Sequence, residues 1–214
     1  MNVDRIILAI GFLAQIFFSA RILVQWILSE RAKRVLSPSV FWILSLAGSF
    51  LLCLYGWLRE DFSILLGQFI AYYIYLWNLK EKGVWQKRYK GMQGILAGVP
   101  VLALFGLLDD PSGFVRTFFQ NEKIPLGWLL FGSAGQILFT LRFVYQWAYS
   151  YRRKESILPP GFWWMSLAGS SVILIYGGLR GDLVLIVGQS FGLVAYVRNL
   201  GIWYYQLKSI RNEN

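Results

Sequence analysis

A chain that carries one stretch of sequence twice, in register, is bound to build two equivalent units. Here residues 8–79 slide onto 129–200 at a constant offset of 121 without a gap, and about 29 of 72 positions are identical. The identities are Gln15/Gln136, Arg21/Arg142, Gln25-Trp26/Gln146-Trp147, Pro38/Pro159, Phe41-Trp42/Phe162-Trp163 and the run Ser45–Ser49/Ser166–Ser170, among others. They continue through Tyr55/Tyr176, Arg59/Arg180, Asp61/Asp182, Gly67-Gln68/Gly188-Gln189, Tyr75/Tyr196 and Asn78-Leu79/Asn199-Leu200. Many of these are polar side chains set in apolar runs. Packing alone would retain apolar character, so the pattern points to a shared polar site.

The surrounding segments indicate a membrane solvent. Apolar residues make up 57% of the chain and charged residues 15%, far from the balance of a soluble domain. Seven continuous apolar stretches, at 6–28, 39–58, 62–79, 92–108, 126–149, 161–179 and 183–204, each approach the roughly 17–25 residues that a membrane-crossing helix needs. Continuous rather than alternating runs argue against a β-barrel. The first run is too long for a secretory signal, and its copy at 129–149 cannot be one. The expected fold is therefore all-α: a polytopic membrane protein with seven transmembrane helices, arranged 3+1+3. The first three-helix repeat covers 1–90, a linker helix and outer loop cover 91–125, and the second repeat covers 126–214. The unpaired linker makes the two repeats parallel, related by a pseudo-two-fold along the membrane normal, with a site expected between them. A short interfacial helix is expected in the outer loop Asp109–Pro125. Ser37-Pro38, and Pro159 or Pro160, read as openings of the second helix of each repeat.

The net charge of +10 fits the positive-inside rule rather than nucleic-acid binding. With seven spans, the side of the C-terminus carries Arg31, Lys33, Arg34, Lys80, Lys82, Lys87, Arg88, Lys90, Arg152, Arg153, Lys154, Lys208 and Arg211. The other side carries Arg5, Arg59, Arg116, Lys123 and Arg180. This places the N-terminus outside and the C-terminus in the cytoplasm. A lone Cys53 leaves no intrachain disulfide, and a chain without histidine has no Ser-His-Asp triad or histidine-ligated metal site. No metal or cofactor is expected.

On a helical wheel with Arg21 at zero, Gln25, Phe18, Gly11, Ser29 and Gln15 fall within about 120° of one another, and all recur in the fifth helix. Gln68, Asp61, Tyr75 and Leu79 share one stripe of the third helix, with Asn78 beside it, and Asp182, Gln189, Tyr196 and Asn199 repeat that stripe in the seventh. Gln15, Gln25, Gln68 and their copies could serve as interhelical hydrogen-bond partners or as ligand contacts. A central arginine costs about 2.5–3.5 kcal/mol on insertion scales and needs water, an acid or an anion. Arg21 and Arg142 either snorkel to the headgroups or clamp a phosphate with planar forks. Asp61 and Asp182 fit a local turn or ion pair, or an outer gate. Ser45, Ser49, Ser166 and Ser170 with Gly48 and Gly169 read as close helix packing. Trp26, Trp42, Trp147 and Trp163 read as an interfacial belt.

The ordered set Gln15…Arg21…Gln25-Trp26…Ser29, Pro38…Phe41-Trp42…Ser45-Leu46…Gly48, Tyr55…Asp61…Gly67-Gln68…Tyr75…Asn78-Leu79, present twice, resembles the lipid A biosynthesis N-terminal domain family. That family consists of small three-helix membrane modules associated with lipid-A-disaccharide synthase, a glycosyltransferase. The 3+1+3 plan is similar in architecture to SWEET transporters, PQ-loop transporters and the KDEL receptor, without their Pro-Gln motif. The resemblance implies bacterial inner-membrane glycolipid metabolism. It does not import transferase chemistry, because no long α/β stretch and no paired carboxylates in a cleft are present. The expected function is transport or flipping of an anionic lipid-linked sugar, such as a polyprenyl-phosphate glycolipid or lipid A precursor. Arg21 and Arg142 would hold phosphate, with Gln15, Gln136, Gln25, Gln146, Gln68, Gln189, Tyr75, Tyr196, Asn78 and Asn199 around them. The alternative is a non-transporting lipid-binding subunit that partners a glycosyltransferase. An enzyme in its own right is the reading the residues argue against.

Overall fold

The computed structural model describes residues 3–58, 62–85, 91–98, 126–180 and 183–213. Its helices are α1 (Val3–Ala32), α2 (Ser39–Leu58), α3 (Phe62–Glu81), α4 (91–98), α5 (Leu126–Arg153), α6 (Pro160–Arg180) and α7 (Leu183–Glu213). No strand occurs among the described residues. Among the described residues, three helices are long and apolar enough to cross a membrane, over Arg5–Ala32, Ser39–Leu58 and Pro160–Leu179. The expected linker span at 92–108 is described only as far as residue 98, and the interfacial helix expected in Asp109–Pro125 lies outside the described residues.

The same local chemistry ends α1 and α5. Arg34 N–H donates to the Ser29 carbonyl and Lys33 N–H to that of Glu30. Glu155 and Lys154 do the same toward Ser150 and Tyr151. This double bond pattern closes a helix on a left-handed residue, and Lys33 and Lys154 have φ of 52° and 53°. The returning loop is pinned inward. Ser29 Oγ accepts from Leu36 N–H at 2.9 Å, and Ser150 Oγ accepts from Ile157 N–H at 3.2 Å. Pro38 and Pro159 then supply the carbonyls that accept from Phe41 and Phe162 N–H at 3.0 Å, opening α2 and α6. Ser37 does not cap α2 with its hydroxyl; that oxygen accepts from Trp42 Nε1 at 2.9 Å.

The long helices pack as a closed ring in the order α1, α2, α3, α5, α6, α7 and back to α1. Within each half the middle helix holds the outer two. Between halves there are two seams, α1 against α7 and α3 against α5, which are equivalent under the 121-residue offset. The helix at 91–98 rides on α3, where Tyr72 and Tyr73 hydroxyls donate to the Leu96 and Ala97 carbonyls at 3.0 and 2.9 Å.

Polarity is turned inside out. Arg21, Gln25, Ser29, Ser45, Asn78, Arg142, Gln146 and Asn199 are buried, whereas Phe12, Leu13, Ile16, Leu23, Ile137 and Ile175 are exposed. An apolar exterior of this extent on a soluble monomer would be an interaction surface, and it accompanies helices long and apolar enough to cross a membrane. The belt expectation holds for neither Trp42 nor Trp163. Both are fully buried, packed on Tyr75 and Tyr196 with ring centroids 6.0 Å apart. Their indoles belong to the core because they brace those tyrosines inside the ring.

Candidate functional site

Arg21 and Arg142 point into the ring rather than out of it, with exposures of 5% and 2%, so neither snorkels. Each is held by the same two partners. Arg21 Nη1 donates to Ser45 Oγ at 2.9 Å and to Tyr75 Oη at 3.1 Å. Arg142 Nη1 donates to Ser166 Oγ at 3.3 Å and to Tyr196 Oη at 3.4 Å. The serines are free to accept because their own protons go to the Phe41 and Phe162 carbonyls, each at 2.6 Å. Close packing and arginine anchoring thus come from the same serine face.

Aromatic rings surround both guanidiniums. Arg21 Cζ lies 4.5 Å from the Phe18 centroid, 5.3 Å from Phe41 and 5.7 Å from Tyr75. Arg142 Cζ lies 3.3 Å from Phe139, 5.4 Å from Phe162 and 5.8 Å from Tyr196. Both face Phe143, at 5.3 and 4.6 Å, so the two cations share one compartment. Ring faces attract cations by about 2 kcal/mol when desolvated, but they do not neutralise charge. Among the described residues the ion pair is Arg198–Glu30, and no carboxylate there meets Arg21 or Arg142. The Nε atoms of both arginines are buried without a hydrogen-bond partner. Buried guanidiniums with spare donors are costly unless an anion completes them.

Beside this compartment, the retained amides join the halves. Gln25 and Asn199 exchange hydrogen bonds of 2.8 and 3.1 Å across one seam, and Asn78 and Gln146 exchange bonds of 3.1 and 2.9 Å across the other. Gln25 Nε2 also donates to Ser29 Oγ and the Leu36 carbonyl, as Gln146 Nε2 does to Ser150 Oγ and the Ile157 carbonyl. These four amides are spent on each other and on the loops. Gln189 Oε1 accepts from Ser170 Oγ at 2.6 Å, whereas Gln68 Oε1 is buried with no partner. Gln15 lines a separate small groove with Leu8, Gly11, Phe12, Leu52 and Tyr55. Gln136 lies in α5, but its side chain, together with Asp61 and Asp182, lies outside the described residues.

Of the site residues expected from sequence, the structure brings Arg21 to Tyr75 and Arg142 to Tyr196, and sets both pairs around Phe143. Sequence reasoning did not identify Ser45 and Ser166 as arginine partners, nor the Phe cage. The usable signal was constant spacing: each arginine precedes its serine by 24 residues and its tyrosine by 54.

At the edges of the two seams the copied pattern breaks. Glu30 of α1 takes Arg198 of α7 in a two-pronged pair, with Nε to Oε2 at 2.8 Å, and Trp26 Nε1 also donates to Glu30. The equivalent positions in the other seam are Tyr151 and Trp77, whose rings lie 6.2 Å apart, with Trp147 5.7 Å from Tyr151. One seam is therefore ionic and the other aromatic.

Comparison with known proteins agrees with the duplicated layout. The Lipid A Biosynthesis N-terminal domain model matches residues 10–80 and again 131–201. The chain is similar to proteins named lipid-A-disaccharide synthase. It is 29% identical to that of Chlamydia pneumoniae over 94% of this chain and 34% of the relative. It is 28% identical to that of Chlamydia felis over 95% of this chain and 34% of the relative. The chain thus spans about a third of the length of these curated relatives. No solved structure matches it. With both halves of the ring recognised independently, the chain belongs to the Lipid A Biosynthesis N-terminal domain family.

Proposed function

We propose that the chain is a membrane transporter or flippase for an anionic lipid-linked sugar in envelope glycolipid biosynthesis, not an enzyme. The observation that carries this reading is the pair of symmetric buried arginines that face a common ring, with no carboxylate beside them among the described residues and an unpaired Nε on each. Phosphate supplies the missing charge and accepts bidentate bonds from guanidinium forks. In this reading seven spans form a 3+1+3 bundle in the bacterial inner membrane, N-terminus outside and C-terminus cytoplasmic. The three-helix repeats 1–90 and 126–214 flank the 91–125 linker and rock against each other to alternate access. Tyr75, Tyr196, Ser45 and Ser166 hold the arginines in place. Gln68 and Gln15 offer hydrogen bonds to the sugar, and Asp61 and Asp182 serve as an outer gate.

The test is transbilayer movement. The purified chain in liposomes should move a fluorescent polyprenyl-linked sugar, offered as its phosphate and as its diphosphate, without ATP, read by a membrane-impermeant quencher. Arg21→Ala with Arg142→Ala should reduce the rate to that of protein-free vesicles. Undiminished movement in the double variant would remove the clamp.

A second reading is favoured by the relatives' names: a non-transporting subunit that presents lipid to a glycosyltransferase such as lipid-A-disaccharide synthase. Lipid retained by the wild type without transbilayer movement would select it.

A further inference from the structure

Phe143 is the member of the arginine cage that the duplication did not copy. Phe18, Phe41 and Tyr75 recur as Phe139, Phe162 and Tyr196, but the position equivalent to Phe143 is Ile22. The unmatched ring is also the one that both guanidiniums face, at 5.3 and 4.6 Å. It is 4% exposed and touches both halves, edge-on to Tyr75 at 5.0 Å and to Phe162 at 5.3 Å.

The free donors have a definite arrangement. On each arginine, Nη1 is engaged by serine and tyrosine. The Nε–H, which with Nη2 forms the edge that takes two oxygens at once, is buried and unpaired on both. Two unpaired Nε–H donors therefore face one compartment, each able to hold an oxygen of one phosphoryl group. A single phosphoryl group, whether a diester with one negative charge or a monoester with up to two, meets one arginine and leaves the other buried guanidinium without a partner, which is strongly unfavourable. A diphosphate brings two phosphoryl groups and at least two negative charges.

We propose that the ligand's anionic group is a diphosphate that bridges Arg21 and Arg142, and that Phe143 is a plug occupying its place until it arrives. The inference rests on the anionic-lipid reading above and narrows it. The plug's quadrupole stabilises the two cations in the empty state less than an anion does, so diphosphate displaces the ring whereas a monophosphate gains too little to do so.

The experiment is a titration of the full chain in detergent micelles with farnesyl diphosphate, farnesyl phosphate and UDP, followed calorimetrically. Farnesyl diphosphate should bind at least about tenfold more tightly than farnesyl phosphate, a difference of about 1.4 kcal/mol. Arg21→Lys and Arg142→Lys should each remove that preference, because an ammonium keeps the charge and loses the fork. Phe143→Ile, which installs the residue of the other half, should tighten farnesyl diphosphate severalfold. Phe143→Leu serves the same purpose if the isoleucine variant is less stable by thermal unfolding. Equal binding of the two farnesyl esters, or a preference that survives both arginine substitutions, overturns the diphosphate inference and leaves the anionic-lipid reading standing. UDP binding as tightly as farnesyl diphosphate keeps the diphosphate and overturns the lipid. Binding of none of the three overturns both.

Discussion

Arg21 and Arg142 are equivalent by position but not equally held. The bonds to Arg21, at 2.9 and 3.1 Å, are shorter than those to Arg142, at 3.3 and 3.4 Å. Removing a hydrogen bond to a buried charge costs about 1.5–3 kcal/mol. Tyr75→Phe should therefore destabilise near the top of that range and Tyr196→Phe near the bottom, as measured by denaturant unfolding in detergent. Identical losses would mean the distances carry no energy. Lys33 and Lys154 close their helices at positive φ, where glycine is unstrained, so Lys33→Gly should stabilise by about 1 kcal/mol in the same assay. The retained side chains could be read from the repeat alone, but their partners could not. Ser45 looks like packing in sequence because a small residue at a helix contact and an arginine acceptor are the same letter. Trp163 shows the opposite limit: its Nε1 is unpaired because Leu158 stands where Ser37 accepts from Trp42 in the first half.

At the scale of elements, glycines set how near the helices come to the cage. A Cβ on Gly169 would lie 3.0–3.1 Å from the Phe139 backbone, so α5 and α6 would have to separate. On Gly48 it would lie 2.8 Å from the Phe18 ring, which stacks on Arg21. Gly169→Ala should cost about 1–3 kcal/mol by overpacking, read by thermal unfolding. Gly48→Ala should perturb the Arg21 cage, read as weaker binding of a phosphorylated lipid. A different loss is expected at the seams. Asn78→Ala leaves Gln146 Oε1 without its donor and Ser156 Oγ with only Ser37 Oγ at 3.4 Å, and should cost about 1–3 kcal/mol for the buried carbonyl left unsatisfied. The six long helices were legible from apolar run length, and the starts of α2 and α6 from Pro38 and Pro159, because both are local properties. The amide pairs were not, since Gln25 and Asn199 meet only when the ring closes, and nothing local records that closure.

The whole molecule is a ring closed by two seams of unlike chemistry, Glu30–Arg198 in one and Trp77–Tyr151 in the other. Exposed ion pairs are screened by salt, whereas ring contacts are not. Ser29 and Ser150 are buried at equivalent places, just inside the two seams, so cysteine reporters there compare the seams directly. In a Cys53→Ser background, Glu30→Gln or high salt should raise maleimide labelling of Ser29→Cys severalfold and leave that of Ser150→Cys unchanged. Equal rises at both sites would show that the seams open together. The asymmetry also says something about why the two units share one polypeptide. A pair of identical three-helix subunits must wear the same chemistry on both contacts, because any substitution at one appears at the other. Fusion lifts that constraint, and this chain has used the freedom at Glu30/Tyr151, Arg198/Trp77 and Ile22/Phe143: joined modules can differentiate where separate copies cannot.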